Sequence, residues 1–199
     1  MKPQIASTPK RLLVYDLETY ATGFADPNWV PQVVTAVAWK WYGDPKRKTL
    51  VEASIDHAEP GSMPHLQPEA IYQTISPFLA DLRKADGVIT YNGKRFDNPV
   101  LNGTMWLVGL PPLGPILTYD LHDFGKIKGV KRGLDNIGIH LEVAQSKLAM
   151  NHAQWTEGYL ERWWLTIKAR AKSDVLLTEQ VYDAKKELGW LKPPVVWKP

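Results

Sequence analysis

Arg11-Leu12-Leu13-Val14-Tyr15-Asp16-Leu17-Glu18 is the stretch on which the fold turns. Its first part is an aliphatic and β-branched run that breaks off into polar residues, the pattern of a central strand buried on both faces. Alternation along a strand sends Asp16 and Glu18 to the same face at its C-terminal end. Two carboxylates crowded together there repel, and burying them is costly unless a positive group lies between them. Hard divalent cations with oxygen ligands meet that need.

Working outward, Gln32 to Tyr42 reads as a second strand and Thr49-Leu50-Val51-Glu52-Ala53 as a third. Gly43-Asp44-Pro45-Lys46-Arg47-Lys48 supplies the turn of a hairpin, hence an antiparallel part of the sheet. From Pro68, the residues Ile71, Ile75, Phe78, Leu79 and Leu82 recur at helical spacing, with Pro77 expected to bend the helix. Val88-Ile89-Thr90-Tyr91 is another buried strand. A helix is expected to start around Asp97 to Pro99 and run through Leu101, Met105 and Trp106 to Gly109. Ile116-Leu117-Thr118-Tyr119 is the last strand expected. Beyond it the pattern is helical, at Leu134, Ile137 and Leu141, then from Tyr159 to Ile167, then from Val175 to Leu188. The tail from Leu191 to Pro199 looks extended and is expected to pack along its own domain.

Two more acids occupy suggestive places. Asp97 lies where a strand passes into a helix, at the sheet edge where functional loops gather, although caps and the helix dipole also favour an acid there. Asp174 sits in a helix whose Val175, Leu176 and Val181 mark a face packed on the sheet, and an acid on that face needs a partner. If the helix crosses near the first strand, Asp174 completes a cluster of four carboxylates around two cations.

The ordered segments Tyr15-Asp16-Leu17-Glu18-Thr19, Tyr91-Asn92-Gly93-Lys94-Arg95-Phe96-Asp97 and Ser173-Asp174-Val175 resemble the three motifs of the DEDD superfamily of 3′→5′ exonucleases. The middle segment is similar to the bacterial and phage ribonuclease H-like branch. Thr118-Tyr119-Asp120-Leu121 and Gly133-Leu134-Asp135-Asn136-Ile137-Gly138 resemble that family's intervening strand and helix. The resemblance spans Leu12 to about Tyr182. It implies an α/β fold, a ribonuclease H-like mixed sheet flanked by helices, and stepwise hydrolysis of DNA or RNA from its 3′ end. Asp16, Glu18, Asp97 and Asp174 are then the catalytic, metal-ligating residues. Their two Mg²⁺ or Mn²⁺ ions, about 3.5–4 Å apart, activate water and stabilise the departing oxyanion. The family carries a tyrosine four residues, or a histidine five residues, before the last aspartate, where this chain has Arg170 and Ala169. Arginine stays protonated and cannot serve as a general base at neutral pH. The metal alone, or a group such as His152, would then generate hydroxide.

Arg170 lies one helical turn before Asp174 and faces the same way. It either grips a phosphate, for which its bidentate fork is suited, or neutralises a neighbouring carboxylate. Lys94 invites the same two readings, and Asn92 is placed with it in the nucleic-acid-binding set. Lys126-Ile127-Lys128-Gly129-Val130-Lys131-Arg132 is either a solvated loop or a hold on the nucleic-acid backbone. Two other functions use the same acids: a structure-selective endonuclease such as a Holliday-junction resolvase, and a catalytically weakened nucleic-acid-binding module. The segment from Asn92 to Asp97 favours the exonuclease, and four retained acids beside phosphates disfavour a pure binding role.

Composition bounds the rest. With 199 residues, 44% hydrophobic and 23% charged, the chain is expected to form one domain. No apolar run approaches the roughly 20 residues of a bilayer span. The first residues lack the apolar core of a secretion signal, so a cytoplasmic protein is expected. A net charge of +3 is compatible with a polyanionic partner without requiring one. The absence of cysteine excludes disulfides and thiolate chemistry, and the spacing of the five histidines argues against a zinc site. Nine tryptophans could stack on bases, but Trp39 and Trp41 alternate in a strand and Trp163 and Trp164 fall in a helix, so core packing is expected of them.

Overall fold

The computed structural model describes residues 9–20, 32–123, 132–148, 154, 157–159 and 161–199. Six strands form one mixed sheet in the order β3-β2-β1-β4-β5-β6. The strands are β1 (Leu12–Tyr20), β2 (Val33–Trp41), β3 (Leu50–Ala53), β4 (Gly87–Thr90), β5 (Ile116–Asp120) and β6 (Val195–Trp197). The central strands β1, β4 and β5 are mutually parallel, whereas the β2–β3 hairpin and β6 run antiparallel to their neighbours. The helices are α1 (Pro68–Leu82), α2 (Asp97–Leu107), α3 (Leu134–His140) and α4 (Trp164–Glu187).

Strand alternation divides the core into two. Leu13, Tyr15 and Leu17 pack with Phe78 and Leu79 of α1 and Leu101 and Met105 of α2. Leu12 and Val14 face Leu134 and Ile137 of α3 and Ala171, Val175 and Val181 of α4. Asp16 and Glu18 continue the second series, so β1 delivers both carboxylates to the α4 face. Parallel β1 and β4 end at the same edge, and the turn after β4 feeds α2 there, which brings Asp97 to the end of β1.

Three expectations need correction. Ile116–Tyr119 is not the last strand: the extended tail pairs with it, Ile116 opposite Trp197 and Thr118 opposite Val195. The free edge of β5 offers unpaired N–H and C=O groups, and three residues beyond Pro193-Pro194 suffice to take them. The helical segments foreseen at Tyr159–Ile167 and Val175–Leu188 do not stay separate, because α4 runs unbroken from Trp164 to Glu187. Trp163 precedes that helix and is 39% exposed, so it is not a core residue, unlike Trp39, which is. Lys46–Lys48 form an exposed turn, as expected. Among the described residues no helix is long and apolar enough to cross a membrane.

Candidate metal centre

Asp16, Glu18 and Asp174 each place a carboxylate oxygen within 4.8 Å of the other two. Among the described residues no other group of three such side chains comes together in this way. Asp174 is 2% exposed because it lies between Ala171 and Val175 on the stripe of α4 that meets the sheet. Asp97 is outside that triad but lines the same cavity, of about 320 Å³, together with Asp16, Glu18 and Asp174. Its Oδ1 accepts the backbone N–H of Leu17 at 3.1 Å, which ties the start of α2 to the end of β1.

The cluster is electrostatically strained. Burial, then the like charges of Asp174, Asp97 and Glu18, push the Asp16 carboxyl well above the usual carboxylate range. Burial, then Asp174, pushes Glu18 up to about 8 against the lowering pull of Arg170 and Lys147. Asp97 is pushed up to about 7 by burial, despite the hydrogen bonds that favour its charged form. Asp174 is raised by burial and held back by Lys147. Two buried carboxyls, Asp97 and Asp174, and two half-buried ones, Asp16 and Glu18, all resisting ionisation, suit a site whose charge is completed from outside.

Arg170 takes the neutralising place that its position on the helix allowed. Its Nε lies 3.3 Å from Glu18 Oε1, and its Nη1 donates to the carbonyl of Leu148 at 3.3 Å. The contact with Glu18 is an ion pair without hydrogen-bond alignment, so Glu18 Oε1 is a buried oxygen that accepts no hydrogen bond among the described residues. A buried carboxylate oxygen that accepts no hydrogen bond, inside a hard-oxygen donor set, fits a divalent cation.

Asn92 lines the cavity, in the left-handed region at φ 67°. Gly93 follows because a Cβ there would meet Thr90 Oγ1 at 2.4 Å. Lys94 is not among the lining residues; its backbone N–H anchors the turn instead. Most of the basic segment from Lys126 lies outside the described residues, as does His152, whereas Arg132 does line the cavity. Of the described histidines, His122 lines the cavity edge-on to Tyr91, whereas His57 pairs with Glu52 and His65 with Tyr159.

Sequence reasoning missed two functional positions. The Asp120 carboxylate accepts the backbone N–H groups of Asn92 at 2.8 Å, Lys94 at 3.0 Å and His122 at 3.0 Å. An aspartate at a strand end beside the strand that feeds the Asn92 turn was the available signal. The second is Lys147, whose Nζ lies 2.5 Å from Asp174 Oδ2. Nothing in its neighbours Gln145, Ser146 and Leu148 marks it in the sequence.

Residues 33–184 match a family model described as the RNase H superfamily, a span that includes Asp97 and Asp174 and begins after Asp16 and Glu18. A comparison with curated proteins finds no match. Among solved structures, the chain is similar to the family B DNA polymerase from the hyperthermophilic archaeon Pyrobaculum calidifontis, with a TM-score of 0.55 and 18% identity. The similarity covers 86% of this chain and 24% of the polymerase, and at that identity it is a likeness of fold.

Proposed function

The chain belongs to the RNase H superfamily, and from that premise we propose that it is a metal-dependent 3′→5′ exonuclease that hydrolyses DNA. The observation that carries the reading is the convergence of Asp16, Glu18 and Asp174 within 4.8 Å, with Asp97 in the same cavity. In this reading the four acids hold two Mg²⁺ or Mn²⁺ ions, which supply water activation and stabilisation of the leaving oxyanion. The carboxylates are ligands and not nucleophiles. Asp97, fixed to the Leu17 amide, keeps the α2 side of the site in register with β1.

Arg170 stands where the resembled family has a water-orienting tyrosine. It cannot accept a proton. Its part is to balance the charge of Glu18 and, once cations occupy the cluster, to offer its guanidinium to a substrate phosphate. Asn92 and Arg132, which line the cavity, meet the substrate's backbone and not its base edges. The rim is therefore built to hold a chain end without reading its sequence.

The test uses purified protein with 5′-end-labelled single-stranded and duplex DNA, the matching RNA, and circular single strands, in Mg²⁺, Mn²⁺ or chelator. A ladder that shortens from the 3′ end only in metal supports the reading. Cleavage of circles points to an endonuclease, and binding without cleavage to a nucleic-acid-binding module.

A further inference from the structure

Lys147 is carried by residues 141–148, which leave α3 and lie across α4. Gln145 N–H donates to Gln180 Oε1 at 2.8 Å, Leu148 N–H to Ser173 Oγ at 3.3 Å, and Arg170 returns a bond to the Leu148 carbonyl at 3.3 Å. Three side chains of the helix that bears Asp174 thus hold the strap that bears Lys147. The ammonium lies 2.5 Å from Asp174 Oδ2 and lines the cavity with Asp16, Glu18 and Asp97. Its charge eases the ionisation of all four acids.

A cation seated in the cluster draws on the Asp174 carboxylate, one of whose two oxygens Lys147 already holds. An ammonium and a divalent ion a few ångströms apart repel strongly even at the dielectric of a protein surface. We propose that Lys147 is a built-in stand-in cation, which pairs with Asp174 in the metal-free protein and must be displaced for a divalent ion to bind. The inference rests on the reading of the four acids as metal ligands. Lysine suits the task because it is a point charge on a flexible stem, free to swing aside while the backbone of its strap stays anchored. Arg170, held by Glu18 and Leu148 on two sides, is the fixed counterpart.

Mn²⁺ binding by the full chain, measured by calorimetry and by the electron paramagnetic resonance of free Mn²⁺, tests this with Lys147→Met and Lys147→Gln, two uncharged side chains of similar length. Both variants should bind Mn²⁺ at least about threefold more tightly than wild type, because no charge has to be expelled. Both should melt lower than wild type in chelator and gain more in melting temperature on adding Mn²⁺. Unchanged or weaker affinity in the variants overturns the proposal, and weaker affinity assigns Lys147 to orienting Asp174 for the metal instead. The control is Asp174→Asn. If Mn²⁺ binding is lost in Asp174→Asn but indifferent to Lys147, only the stand-in role falls. If wild type takes up no Mn²⁺, the metal-site reading falls and takes this inference with it.

Discussion

Replacing Asp120 by alanine should unfold a large share of what holds the site together. Its carboxylate accepts three backbone N–H groups, from Asn92, Lys94 and His122, at 2.8–3.0 Å, and it is 8% exposed. Hydrogen bonds to a charged acceptor contribute about 1.5–3 kcal/mol each. Water reaching the rim of the turn and relief of the repulsion between Asp120 and Asp97 discount the sum, which leaves a loss of about 3–5 kcal/mol against a total stability of about 5–15 kcal/mol. Asp120→Asn keeps one acceptor oxygen. Placed toward Asn92 and His122, the amide turns its NH₂ against the N–H of Lys94, for a loss of about 1–2 kcal/mol. Equilibrium unfolding in urea, with unchanged slope, reads both values. Because Asn92 is held at φ 67°, loosening its anchor should also weaken metal binding through a misplaced Asp97. An Asp120→Ala protein within about 1 kcal/mol of wild type would refute the reasoning.

Gly93→Ala forces Thr90 or the turn to move and should cost about 1–3 kcal/mol, measured by the same unfolding experiment. Asp16→Asn and Asp174→Asn should abolish divalent-dependent hydrolysis; in chelator Asp16→Asn should hold or raise the melting temperature because it removes a repelling charge, a gain that Asp174→Asn offsets by losing its ion pair with Lys147. Carboxyls whose folded pKa values rise, Asp97 to about 7 and Glu18 to about 8, bind more protons folded than unfolded. Metal-free stability should therefore fall as pH rises from their ordinary values of 3.8 and 4.5 toward 8, and saturating Mg²⁺ should remove that slope. A flat metal-free melting profile over that range contradicts the burial of these acids. Arg170→Ala removes a charge that holds Glu18 down, so the acid limb of the pH–rate profile should move to higher pH, and nucleic-acid binding should lose about one phosphate's share of its salt dependence.

The positions of three acids were legible from a local period, and that of Asp97 from the passage of a strand into a helix. Asp16 and Glu18 follow the two-residue alternation of a strand, and Asp174 shares the helical stripe of Val175 and Val181. The mixed sheet was legible from the hairpin and from strands followed by helices. β6 was not, because three residues behind a proline pair carry no periodic signal, and their pairing depends on the open edge of β5. Lys147 and Asp120 escaped for a related reason: the partners that give them meaning, Asp174 and the Asn92 turn, lie 27 and 28 residues away along the chain, brought near by tertiary packing alone.

The central claim is that four carboxylates of β1, α2 and α4 hold two divalent ions. The anomalous scattering of a crystal grown with Mn²⁺ tests it most directly. Two peaks about 3.5–4 Å apart, bounded by Asp16, Glu18, Asp97 and Asp174 and absent from Asp174→Asn, are the predicted result. No peak at the end of β1 in a crystal saturated with Mn²⁺, or peaks that survive Asp174→Asn unchanged, would contradict it.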